Sequence, residues 1–117
     1  MSGPALTPMD ALAVELQELI ELLDEAGEPY WHRWMQRALE RIDGHQLAGV
    51  SQVLAAYGGA QTFSDLELAP ALRKIQPDRH AELNGRLVAL RDRIFMLADT
   101  VASGTAGGDA GASRSGP

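Results

Sequence analysis

PDRHAELNGRLVALRDRIFMLADTVAS, residues 77–103, is the stretch that decides the fold class. Leu83, Leu87, Leu90, Ile94, Leu97 and Val101 recur at intervals of four, three, four, three and four, which places six apolar side chains along one face of a helix. Over many heptads such a seam marks a coiled coil; over fewer than three it marks the long helix of a bundle. The seam therefore predicts partner helices within the same chain. Val88 and Phe95 lie off it, and either broaden the buried face or leave a patch for a partner.

The rest of the chain supplies those partners. Thr7, Pro8 and Asp10 read as cap, first helical position and dipole-favoured acid of a first helix over 7–26. Leu12, Leu16, Leu19, Ile20 and Leu23 form its stripe, and Gly27 ends it. A second helix over 29–42 opens on Pro29 and carries Trp31, Trp34, Met35, Ala38, Leu39 and Ile42 on its apolar face. Arg33, Arg37 and Arg41 form a separate solvent row at i, i+4 and i+8. With only Gly27 as hinge, the two helices are expected to form a hairpin that sets the acids of the first against this basic row.

Asp43 and Gln46 have the spacing of a capping box for a third helix over 44–57, with Leu47, Val50, Val53, Leu54 and Tyr57 inward and Gly58-Gly59 as its stop. Residues 60–76 lose the helical period and are expected to form an ordered loop or short helix, broken at Pro77. The expected architecture is thus an all-α bundle of about four helices, 7–26, 29–42, 44–57 and 77–103, in one domain. A flexible N-terminus, 1–6, precedes it. A disordered Gly/Ala/Ser-rich tail, 104–117, follows, since nothing there can bury apolar surface.

Composition narrows the function classes. Aromatics make up 5% of the 117 residues, which suits a helical bundle better than a β-sandwich. No cysteine means no disulfide, thiolate metal site or thiol nucleophile, and a reducing cytoplasm is the expected setting. Neither a signal-like N-terminus nor a run of 18 apolar residues is present, so no membrane role is expected. The formal charge is −6, and residues 1–28 hold seven acids and no Lys or Arg, a balance that repels phosphate backbones and argues against nucleic acid. A partner protein with a basic surface suits it.

Catalytic, metal and cofactor signatures are lacking. His32, His45 and His80 are not spaced as paired ligands on a helix face, no serine stands in a nucleophile elbow, and Gly58-Gly59 lacks the rest of a phosphate loop. The acids of the first helix read as a solvated face, since acid–base catalysis needs a carboxyl desolvated by burial. Trp31 and Trp34 read as core, and Asp65 as a turn cap or a contact to a partner's backbone.

Two stretches carry a resemblance: Trp34 to Leu66, with Leu39, Tyr57-Gly58-Gly59 and Phe63-Ser64-Asp65-Leu66, and Asn84-Gly85-Arg86-Leu87 with Leu90-Arg91 and Ile94 to Ala98. Together they resemble a family of small uncharacterised bacterial helical proteins with a Trp-containing helix, Gly-Gly followed by Phe-Asn-Asp-Leu, and a final helix bearing Asn and Arg. Ser64 stands where that pattern has Asn, and Ala60-Gln61 where it has a more glycine-rich link. The resemblance implies no established activity; small helical proteins of this type often act as accessory or immunity proteins.

The expectation is a non-enzymatic, cofactor-free helical domain that binds another protein, an immunity or inhibitor role being its concrete form. Glu18, Glu21, Glu25, Asp65, Val88 and Phe95 are the expected contact residues. The alternatives are a homodimer assembled on the seam of residues 83–101, and a small-molecule or enzymatic site at the 58–68 loop around Asp65.

Overall fold

A computed structural model of the protein describes residues 7–58 and 62–111, with side chains as far as Gly104. The described elements are α1 (Pro8–Glu25), α2 (Pro29–Asp43), α3 (Leu47–Ala55), a 3-10 turn (Phe63–Asp65), α4 (Leu72–Ile75) and α5 (Pro77–Gly111), with no strand among them. The all-α bundle holds. The expected N-terminal arm, 1–6, lies outside the described residues, as does the Ala60-Gln61 link. Of the expected tail, 112–117 also lie outside them, and α5 runs to Gly111, past the end expected at Ser103.

Local chemistry sets most boundaries. Thr7 Oγ1 accepts the Asp10 amide at 3.0 Å and Pro8 sits where a missing N–H costs nothing, so α1 starts as the sequence indicates. Gly27, at φ +75°, turns the chain into α2, and the two helices pack as the expected hairpin. The start of α3 differs. Asp43 is the last residue of α2, His45 takes φ +59°, and α3 begins only at Leu47 with no side-chain cap at Gln46. The left-handed residue uses up the chain that a capping box over 43–46 would need.

The bundle is organised by α5, which packs against α1, α3 and α4. Leu83, Leu87, Leu90, Ile94 and Ala98 are all buried, each 3% exposed or less. Leu97 and Val101 of the expected seam are only half-buried. A straight α-helix drifts about 20° per heptad relative to a 3.5-residue repeat, so the buried row passes from Ile94 to Ala98 instead of Leu97. It is a bundle helix, and its apolar row is covered within the chain.

Opposite it lie Leu12, Leu16, Leu19, Leu22 and Leu23 of α1, all fully buried, with Met35, Ala38 and Ile42 of α2 and Val50, Val53 and Ala56 of the third segment. Each fully buried leucine contributes about 1.5–3 kcal/mol relative to exposure. The face of α3 is not quite the expected one. Leu47 is 47% exposed, and Gly49 is buried in its place. A Cβ added at Gly49 would stand 2.7 Å from the Ala38 carbonyl oxygen and 2.9 Å from Arg41 Cβ, so the absence of a side chain is what lets α3 lie close on α2.

Gly49→Ala is expected to lower stability by about 1–3 kcal/mol, since main chain would have to shift to admit the methyl group. Gly85, exposed within α5 and with open space around a would-be Cβ, gives the opposite result. Gly85→Ala should raise stability by about 0.5–1 kcal/mol. Urea denaturation of both variants checks the pair.

Candidate functional site

Between α3 and α4 the chain crosses the outside of α5, and the side chains that fasten it there build one side of a surface hollow. Phe63 is fully buried, its ring 5.5 Å from both Trp31 and Tyr57 between centroids. Tyr57 Oη donates to the Arg91 carbonyl at 2.7 Å, and Arg91 Nη1 donates to the carbonyls of Phe63 and Leu66 at 3.2 and 3.4 Å. Burial pushes the Tyr57 phenol pKa upward, the nearby Arg91 opposing and Asp92 adding to the shift, so it remains a hydrogen-bond donor. Asn84 completes the fastening: its Oδ1 accepts the Leu68 amide at 2.8 Å and its Nδ2 donates to the Leu68 and His80 carbonyls at 3.1 and 2.8 Å.

The hollow has a volume of about 650 Å³ and is lined by Tyr57, Ser64, Arg91, Asp92, Phe95 and Met96. Phe95 is 43% exposed and Met96 68%, and the Phe95 ring lies 5.1 Å from that of Tyr57. Val88, also exposed, stands two turns earlier on the face of Phe95, outside the hollow. Asp65 ends the 3-10 turn and is exposed, its neighbour Ser64 reaching the lining while it does not. The structure therefore brings Phe95 and the Ser64-Asp65 turn to one neighbourhood, with Asp92 as an acid at the rim. Tyr57, Asp92 and Met96 join this site without having been singled out for it; among the lining residues Phe95 alone was marked as a contact in the sequence, by its position off the seam.

The acids of α1 divide. Glu25 pairs with both Arg79 and Arg86 of α5, and those arginines, Arg79 foremost, hold its carboxyl below the ordinary range. Glu15 pairs with Arg93 at 2.8 Å. Among the described residues Glu18 and Glu21 have no ion pair, and both are exposed. The acidic helix thus faces arginines of α5, which corrects the expectation that it would meet the basic row of α2. That row faces the other way, toward α3: Arg41 Nη1 donates to Gln52 Oε1 at 2.8 Å.

Nothing in the described residues gathers three metal-ligating side chains, and no helix is long and apolar enough to cross a membrane. Of the histidines, His80 meets Glu67 at 2.7 Å, while His32 lies half-buried near Glu28, whose carboxyl is pushed up by burial.

Residues 24–75 match the family described as a domain of unknown function (DUF6966). That segment runs from the end of α1 through α4, and takes in Tyr57 and the 3-10 turn but not Phe95. No curated protein and no solved structure matches the chain.

Glu67 yields a pH test of the fastened segment. Hydrogen bonds from Arg73 and then His80 lower its carboxyl to about 2 from the ordinary 4.5. A carboxylate held down in the folded chain favours folding wherever it is ionised, and this contribution disappears as pH falls from about 4.5 through about 2. Glu67→Gln should be less stable than the parent at pH 6, with the gap closing toward pH 2. Thermal melts across that range measure it.

Proposed function

We propose that the protein is a non-catalytic helical domain that binds another protein through the face centred on Phe95 and Met96. The observation that supports this reading is the hollow beside them: large apolar side chains stand partly exposed on a rigid helix, with Tyr57 and Arg91 fixed behind them by hydrogen bonds. Aromatic side chains lose few rotamers on binding, and the flexible, polarizable thioether of methionine adapts to the shape of a partner, so the two together suit the centre of an interface. Asp92 at the rim and the negative charge of the chain favour a partner that inserts an apolar side chain flanked by Lys or Arg. Neutralisation of a basic protein, as an immunity or inhibitor protein does it, is the concrete form of this function, in a bacterial cytoplasm.

In this reading Glu18 and Glu21 act at long range. They carry uncompensated charge, whereas Glu25 is already neutralised by Arg79 and Arg86. Homodimerisation on the α5 seam is the less favoured reading, because Leu83, Leu87, Leu90 and Ile94 are already covered.

A photoreactive side chain placed at position 96 in cells of the native host tests the proposal. The expected result is a cross-link to a second, basic protein, with at least tenfold weaker binding of that protein by Phe95→Asp at unchanged helix content. Charge reversal at Glu18 and Glu21 should slow association and flatten its salt dependence. A cross-link only to another copy of the chain, or Phe95→Asp binding the partner as well as the parent does, overturns it.

A further inference from the structure

The arginine row of α2 forms a second surface on the chain, separate from the Phe95 face. Arg33, Arg37 and Arg41 are exposed, and among the described residues none is ion-paired to a carboxylate. Three like charges at successive i+4 positions repel one another. They line a groove of about 650 Å³ between α2 and α3, walled by Tyr30 and Trp34. Its floor is the outer row of α3, where Ala48, Ser51 and Ala55 are small enough to leave the groove open.

The groove is held in shape before anything binds. Trp34 Nε1 donates to the Gln52 carbonyl at 3.0 Å, and Gln52 Nε2 donates back to the Trp34 carbonyl at 3.1 Å. The same Gln52 accepts from Arg41 through Oε1 at 2.8 Å, which ties one guanidinium to the groove's lining. Gly49 sets the helix separation beneath it. Tyr30 is 57% exposed, with its ring 6.2 Å from that of Trp34, so one wall is aromatic and amphipathic.

We infer that this groove binds an acidic helical segment of a partner protein, with carboxylates spaced four residues apart set against Arg33 and Arg37. The spacing argument is direct. Successive arginines stand about 6 Å apart along α2, and carboxylates at i and i+4 of a docked helix have the same pitch of about 6 Å. Arginine forks pair carboxylates bidentately, and the small-residue floor gives the helix's apolar side a place to rest. The occupant is an acidic protein segment and not a nucleic acid, because a chain of net charge −6 repels a polyphosphate beyond three arginines' reach.

Trp31 and Trp34 are the protein's two tryptophans, and Trp34 lines the groove, so binding has an intrinsic optical readout. The probe is a capped 18-residue helical peptide, free of tryptophan, with Glu at every fourth position, compared with its Gln counterpart. The expected result is saturable quenching or shift at micromolar peptide, absent with the Gln peptide. Arg33→Glu/Arg37→Glu should weaken binding at least tenfold at unchanged circular dichroism, and the same variant should bind the peptide with Lys in place of Glu. Phe95→Asp should bind as the parent does, which separates this groove from the face proposed above. Equal binding of the Glu and Gln peptides, or none up to millimolar, overturns the inference. So does tighter binding of a thymidine oligonucleotide, which would make the groove a nucleic-acid site. Self-association in sedimentation that is lost in Arg33→Glu/Arg37→Glu would replace the acidic partner with a second copy.

Discussion

The fold depends on covering the apolar row of α5. Leu83, Leu87, Leu90, Ile94 and Ala98 cannot be buried by the short local elements around them, and are closed off by α1 and α3 from the first half of the chain. Once that row is enclosed, the opposite face of α5 is fixed in direction. Arg91, Phe95 and Met96 then point toward the crossing segment or away from the molecule. The aromatic hollow is therefore a by-product of core packing that needs few residues of its own: Tyr57 and Asn84 pin the crossing chain, and Phe95 and Met96 remain beside it.

Much of this was legible in the sequence because it is carried by short-range chemistry. The Leu12-Leu16-Leu19-Leu23 stripe, the Thr7-Pro8 start and the Gly27 turn each express one local rule, and each is found where that rule puts it. Two departures in the apolar pattern each have a geometric cause. Ala98 replaces Leu97 in the buried row because a 3.6-residue helix drifts off a heptad. Gly49 replaces Leu47 because the contact with α2 requires close main-chain approach, which hydrophobicity cannot signal. The exposure of Val88 and Phe95 could be read from their distance off the seam; Met96, next to Leu97 and well inside the helix, could not.

Electrostatics was the least legible layer. Sequence shows that α1 is acidic and that arginines recur on α2 and α5, but not which of the two basic sets α1 meets. Helix packing decides it in favour of α5, through Glu15 with Arg93 and Glu25 with Arg79 and Arg86. Exposed pairs of this kind contribute about 0–1 kcal/mol each, so they are better regarded as consequences of the packing than as its cause. Their result is to leave Arg33, Arg37 and Arg41 without a counter-charge among the described residues of an acidic protein.

The packing of α1 on α5 joins elements far apart in the sequence: Leu23 and Leu83 are separated by sixty positions. During synthesis the leucines of α1 emerge before their cover in α5. Until the ribosome has released α5, a nascent chain can form the α1–α2 hairpin and the α2–α3 crossing but must carry a bare leucine stripe. The unpaired acids on the outside of that same helix give the unfinished chain a charged surface while it waits, and charge opposes association between partly made copies.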